Sequence, residues 1–77
     1  MVYRMENEME TIHLKEDYIK LGQALKAAGL VGSGVEAKIV IQDGQVKVNG
    51  EVAYERGKKL YDGATVEYNG ETIKIVG

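Results

Sequence analysis

Arg56, Lys58 and Lys59 follow closely on an Asn49-Gly50 dipeptide, with Gly57 between the first two cations. No apolar periodicity runs through this stretch, so packing gives no reason for the charges. Cations held on a loop beside a tight turn can neutralise phosphate oxygens and displace condensed counterions. The chemistry that these residues offer is therefore anion binding, and the anion of interest is a phosphate backbone. Tyr54 and Tyr61 flank the loop and offer rings that can touch a base or sugar, although packing of at least one ring on a sheet edge is the expectation. The five tyrosines are the only aromatics, a poor supply for a platform that stacks single strands.

Catalytic chemistry is thinly represented. The chain has no cysteine and one histidine, and His13 has no second ligand at metal spacing. Alternation places it on the polar face of a short strand, where a solvated side chain is expected. Glu16 and Asp17 are adjacent carboxylates at a helix start, and Ser33 has a capping task. No glycine-rich loop followed by Lys-Ser/Thr is present. An enzyme is not expected, nor is a metal or cofactor.

Net charge is −2, but it is unevenly spread. Residues 1–17 carry two cations against five carboxylates, residues 18–60 seven against four, and residues 61–77 one against three. A basic middle lies between acidic ends, and local field matters more than the sum. With 77 residues the chain is expected to form one domain, residues 9–77, behind a flexible lead-in over residues 1–8. No apolar run approaches a membrane span, no signal-peptide pattern opens the chain, and cysteine is absent; a cytoplasmic protein is expected.

The elements that would hold the basic loop are legible from period and punctuation. Met9 to Leu14 alternates and reads as a short edge strand. Asp17 is an N-cap candidate for a helix whose stripe is Tyr18, Leu21, Leu25 and Ala28, ended by Gly29. Lys20 and Lys26 fall off that stripe, on a solvated face. Ser33-Gly34-Val35-Glu36 is a capping box opening a second helix with Ala37, Val40 and Ile41 inward, closed by Gly44. Gly32-Ser33-Gly34 at a helix start could hold a phosphate, but turn and cap chemistry accounts for it without a ligand.

Val46 and Val48 then alternate with polar residues in a central strand. Asn69-Gly70 joins two further strands, setting Val66 opposite Ile73 and Ala64 opposite Ile75, with apolar residues on one face. The same register at Asn49-Gly50 sets Val48 opposite Glu51 and Lys47 opposite Val52, mixing faces. A bulge or an early departure from pairing is expected there.

The order of these motifs is that of a known family. Leu21-Gly22-Gln23-Ala24-Leu25-Lys26, Ser33-Gly34-Val35-Glu36-Ala37-Lys38, Gly44-Gln45-Val46-Lys47-Val48-Asn49-Gly50-Glu51, Arg56-Gly57-Lys58-Lys59-Leu60 and Asp62-Gly63 together resemble the ribosomal protein S-four type RNA-binding domain. The likeness is closest to its small stand-alone bacterial branch, the YbcJ/YaaA-like proteins, and spans roughly residues 10–76. It implies an α+β fold, two short helices packed on a small, mostly antiparallel sheet, that binds structured or ribosomal RNA. The RNA-binding set it implies comprises Ser33, Lys38, Lys47, Asn49, Arg56, Lys58 and Lys59, with Lys26 added on the first helix. Whether Lys38, Lys47, Arg56, Lys58 and Lys59 converge on one face discriminates this reading from the others; if they scatter, it loses most of its support. The larger family often has arginine after the serine; Gly34 stands there in this chain and removes one phosphate contact. The stand-alone branch usually shows Gly-Gly at that point and Gly-Asp later, against Gly34-Val35 and Gly63-Ala64 here.

Two other readings are open. A protein-interaction module could keep this fold without RNA, as the net negative charge and the missing arginine suggest. A β-grasp sulfur carrier would need a flexible Gly-Gly tail, and the chain ends Val76-Gly77. A monomer is expected, because the apolar residues are used up by two helical stripes and one hairpin face.

Overall fold

The Asn69-Gly70 hairpin forms with the expected register, Val66 opposite Ile73, and Asn69 and Gly70 both adopt positive φ (54° and 80°). This is the turn whose twist matches that of the flanking strands. The computed structural model describes residues 10–77, so the lead-in expected over residues 1–8 lies outside the described residues. In chain order the elements are β1 (Glu10–His13), β2 (Ile19–Lys20), α1 (Leu21–Ala27), α2 (Gly34–Gln42), β3 (Val46–Val48), β4 (Glu51–Val52), β5 (Lys59–Leu60), β6 (Thr65–Tyr68) and β7 (Glu71–Val76).

Five strands make one sheet in the order β1-β7-β6-β3-β4. All its pairings are antiparallel except β1 with β7, which is parallel. Period-2 alternation sends Val46, Val48, Val66, Ile73 and Ile75 to one face, where all five are buried. The two helices cover that face with Leu21, Ala24 and Leu25 from α1 and Ala37, Val40 and Ile41 from α2, also buried. Truncating one of the large members, such as Leu25 or Ile73, to alanine is expected to cost about 2–5 kcal/mol. The other face of the sheet stays open to solvent, with Lys47, Glu67 and Lys74 exposed.

The helix ends follow the sequence closely. Leu30 N–H donates to Leu25 O and Gly29 N–H to Lys26 O. At α2, Gln45 N–H donates to Val40 O and Gly44 N–H to Ile41 O. Both are paired C-terminal motifs that need a left-handed residue, filled by Gly29 (φ 76°) and Gly44 (φ 79°). At the start of α2, Ser33 Oγ accepts from Glu36 N–H at 3.1 Å. The reciprocal arm of the expected capping box lands one residue early: Glu36 Oε1 accepts from Gly32 N–H at 2.7 Å.

The first helix begins later than its stripe predicts. Asp17 is an exposed bend residue, and Ile19–Lys20 is a strand paired antiparallel with Lys59–Leu60. Tyr18 and Ile19, both good strand formers, extend because a partner strand is available, and tertiary pairing overrides the helical spacing. Lys20, extended at φ −79° and ψ 148°, takes the N-cap position instead, and its N–H donates to Gln23 Oε1 at 3.3 Å. At Asn49-Gly50, Lys47 pairs with Val52 and Val48 with Glu51, and the strand ends after Val52. One further bond, from Ala53 N–H to Val46 O at 3.0 Å, continues the register before the chain leaves the sheet. The early departure relieves the mixing of faces.

Candidate nucleic-acid interface

After Ala53, which is buried, the chain crosses from the sheet edge to the helices. It turns at Glu55-Arg56-Gly57-Lys58, where Lys58 N–H donates to Glu55 O at 3.2 Å. A helix leaves its first four N–H groups without intrahelical partners. Here Lys58 O accepts from Leu21 N–H at 2.8 Å and Arg56 O from Gly22 N–H at 2.9 Å. The basic loop is thus bonded through its main chain to the start of α1, while its side chains remain exposed. The approach is close: a Cβ at Gly22 would lie 3.4 Å from Arg56 Cβ and 3.5 Å from Arg56 O, leaving room for a methyl group and little more.

This strap creates a cleft between the starts of both helices and the loop. It is lined by Lys20, Gly22, Gln23, Lys26, Gly34, Arg56 and Gly57. Among the described residues, three cations and no carboxylate line it, in a chain whose net charge is negative. Next to the cleft, the β2–β5 register sets Lys20 directly opposite Lys59. Like charges directly opposite on paired strands are destabilising, and an anion between them removes the penalty. Lys59 Nζ also lies 4.9 Å from the centre of the Tyr18 ring.

The residues proposed from sequence divide accordingly. Lys26 and Arg56 meet in the cleft, and Lys59 adjoins it through Lys20. Lys58 lines concavities next to the cleft's loop, one with Asn49 and Tyr54 and another with Asn49 and Tyr61. Lys38 is exposed on α2 but does not line the cleft. Lys47 lies on the open face of the sheet, opposite Glu67 across the strands and beside Glu71. Lys38, Lys47, Arg56, Lys58 and Lys59 therefore scatter, because alternation within β3 turns Lys47 away from the helices and Lys38 lies off the cleft; as a set of five they no longer support RNA binding. Ser33 caps α2. Asn49 closes its turn at φ 52°, with Asn49 N–H donating to Thr65 O and Asn49 Oδ1 accepting from Thr65 N–H, both at 2.9 Å. Folding alone explains both residues.

Lys20 is the cleft residue that sequence reasoning set aside. The signal for it was present in the mirrored runs Tyr18-Ile19-Lys20 and Lys59-Leu60-Tyr61, which pair with their apolar centres inward. Among the described residues there is no group of three or more His, Cys, Asp or Glu side chains placed to hold a metal ion. Among the described residues no helix is long and apolar enough to cross a membrane.

Two helices on a five-stranded sheet, with the small β2–β5 ribbon and a basic cleft at the helix starts, set the chain in a class of α+β domain, and the comparisons name that class. Residues 12–76 match the S4 domain, and the chain belongs to that family. It is 39% identical over 62 residues, 80% of this chain and 89% of the relative, to "Putative RNA-binding protein YbcJ" of Escherichia coli (strain K12). It is 42% identical over 59 residues, 77% of this chain and 83% of the relative, to "Probable ribosome maturation protein RlbA" of Bacillus subtilis (strain 168). The solution structure of YbcJ from E. coli, described as revealing an ALFAL motif involved in RNA-binding, superposes with a TM-score of 0.73 at 40% identity. That match covers 100% of this chain and 98% of the other.

Proposed function

We propose that the chain is a non-catalytic module that binds structured RNA in the cleft between the helix starts and the strap, acting as a monomer. The carrying observation is the meeting of Lys20, Lys26 and Arg56 in a cleft that, among the described residues, no carboxylate lines. Side chains cannot read an A-form major groove, so phosphate and shape contacts dominate such recognition. The name of the B. subtilis relative supports ribosomal RNA during ribosome maturation as the setting.

The test is binding of ribosomal RNA hairpins by wild type and by the Lys20→Gln/Arg56→Gln double variant. With three to five phosphate contacts, log affinity falls against log salt with a slope of roughly −2 to −4. The double variant is expected to reduce that slope by about two and to weaken binding, with its circular dichroism unchanged. Lys47→Gln and Lys74→Gln, on the open sheet face, are controls and change little. Equal binding by the double variant and wild type overturns the cleft as the site.

A second reading has its own observation. Val35 and Ile39, one turn apart on α2, are 68% and 59% exposed. If wild type binds no structured RNA, this apolar pair marks a protein-interaction module that keeps the fold.

A further inference from the structure

The outward side of the β2–β5 ribbon carries four side chains with a single theme. Ile19 and Leu60 pair with their side chains toward the core, where Leu60 is fully buried and Ile19 partly so. Alternation then sends the flanking residues outward: Lys20 and Lys59 at one end, Tyr18 and Tyr61 at the other. The tyrosine rings meet with centroids 5.9 Å apart and planes inclined by 55°. Tyr18 is partly buried and held from above by Lys59 Nζ, whereas Tyr61 keeps 53% of its surface exposed. Asp62, the carboxylate next along the chain, lines one concavity with Lys59 and Tyr61, and its Oδ1 accepts from Gly77 N–H at 2.9 Å.

We propose that the exposed ring of Tyr61 is a stacking site for one unpaired RNA base, with Lys59 and Lys20 holding the phosphates that lead from that nucleotide into the cleft. Tyr18 braces the ring, so stacking orders little that is not already ordered. Lys20 belongs to both surfaces: it lines the cleft and faces Lys59 across the ribbon. The base and the paired stem therefore engage one continuous surface. The ligand class narrows from structured RNA in general to a helix with an extrahelical nucleotide beside it. This inference rests on the RNA-binding reading above.

The experiment compares two RNA hairpins, one with a fully paired stem and one carrying a single bulged adenosine, by anisotropy of labelled RNA. Wild type is expected to bind the bulged hairpin more tightly. Tyr61→Leu should weaken the bulged hairpin about tenfold and leave the paired one unchanged, since an aromatic–base stack contributes on this scale. Tyr61→Phe keeps the ring and should restore wild-type binding. The chain has no tryptophan, so Tyr61→Trp introduces a single indole whose emission should be quenched by the bulged hairpin and not by the paired one. If both hairpins bind equally and Tyr61→Leu changes neither, the stacking site is overturned while RNA binding stands. Equal weakening of both hairpins by Tyr61→Leu also overturns it, because the ring then supports the fold or backbone contacts. If neither hairpin binds wild type, the RNA reading itself fails, and stacking with it.

Discussion

Gly22 and Arg56 are joined main chain to main chain: the Gly22 N–H donates to Arg56 O at 2.9 Å, and a Cβ at position 22 would stand 3.4 Å from Arg56 Cβ. The distance admits one methyl group and nothing larger. Alanine also favours a helix over glycine by about 1 kcal/mol. Gly22→Ala is therefore expected to match or exceed wild type in a urea melt. Gly22→Val adds two methyl groups against the strap and should both destabilise the fold and weaken RNA binding. Wild-type affinity in Gly22→Val would show that the loop position is irrelevant to the ligand.

The facing pair Lys20 and Lys59 opposes stability to binding. Lys20→Glu converts a like-charge cross-strand pair into an opposite-charge pair, expected to stabilise by about 0.2–1 kcal/mol. The same change places a carboxylate in the cleft, so RNA affinity should fall sharply. A melt and a titration on one sample give both readings. A Lys20→Glu protein that melts lower than wild type and binds equally well contradicts both halves.

Ser33 is a cap. Ser33→Ala removes the acceptor for Glu36 N–H and should cost about 1 kcal/mol. For a domain of this size that lowers the melting temperature by roughly 4–8 °C. RNA affinity, measured well below the melt, should stay within about twofold, because the hydroxyl is already engaged by Glu36 N–H. A large affinity loss with unchanged melting would make Ser33 an RNA contact.

Asn49 combines a left-handed backbone with a side-chain bond to Thr65 N–H. Asn49→Gly keeps the backbone freedom and loses the bond, an expected cost of about 1 kcal/mol. Asn49→Ala loses both and should cost about 2 kcal/mol or more. The order of the two melts decides the mechanism: equal losses would mean that the backbone conformation is no constraint.

Much of the fold was legible because local signals and tertiary structure agree. Asn69-Gly70, Ser33 and the two C-terminal glycines each specify one conformation, and the residues between them alternate or recur with a clear period. The start of α1 was not legible. Tyr18 satisfies a helical stripe as well as a strand, and only the arrival of Lys59–Leu60, from the far half of the chain, decides between them. The candidate site divides in the same way. Arg56 and Lys26 stood out by charge and by resemblance, whereas Lys20 needed the ribbon register to be placed. For Lys47 the charge was visible in the sequence, and the sheet face it occupies, set by alternation in β3, was not. Asn49 and Ser33 were drawn into the RNA-binding set by motif, although their polar atoms complete a turn and a cap.

The strap between the start of α1 and the basic loop also has a kinetic meaning. Its donors and acceptors lie in opposite halves of the chain, so the cleft closes across a long loop, while α1–α2 and the β6–β7 hairpin organise from near neighbours. The cleft is then expected to be among the last parts to assemble during folding, and no fragment ending before Lys58 can close it. In hydrogen exchange, the Gly22 amide reports that assembly directly: its protection measures how firmly the two halves are closed on each other.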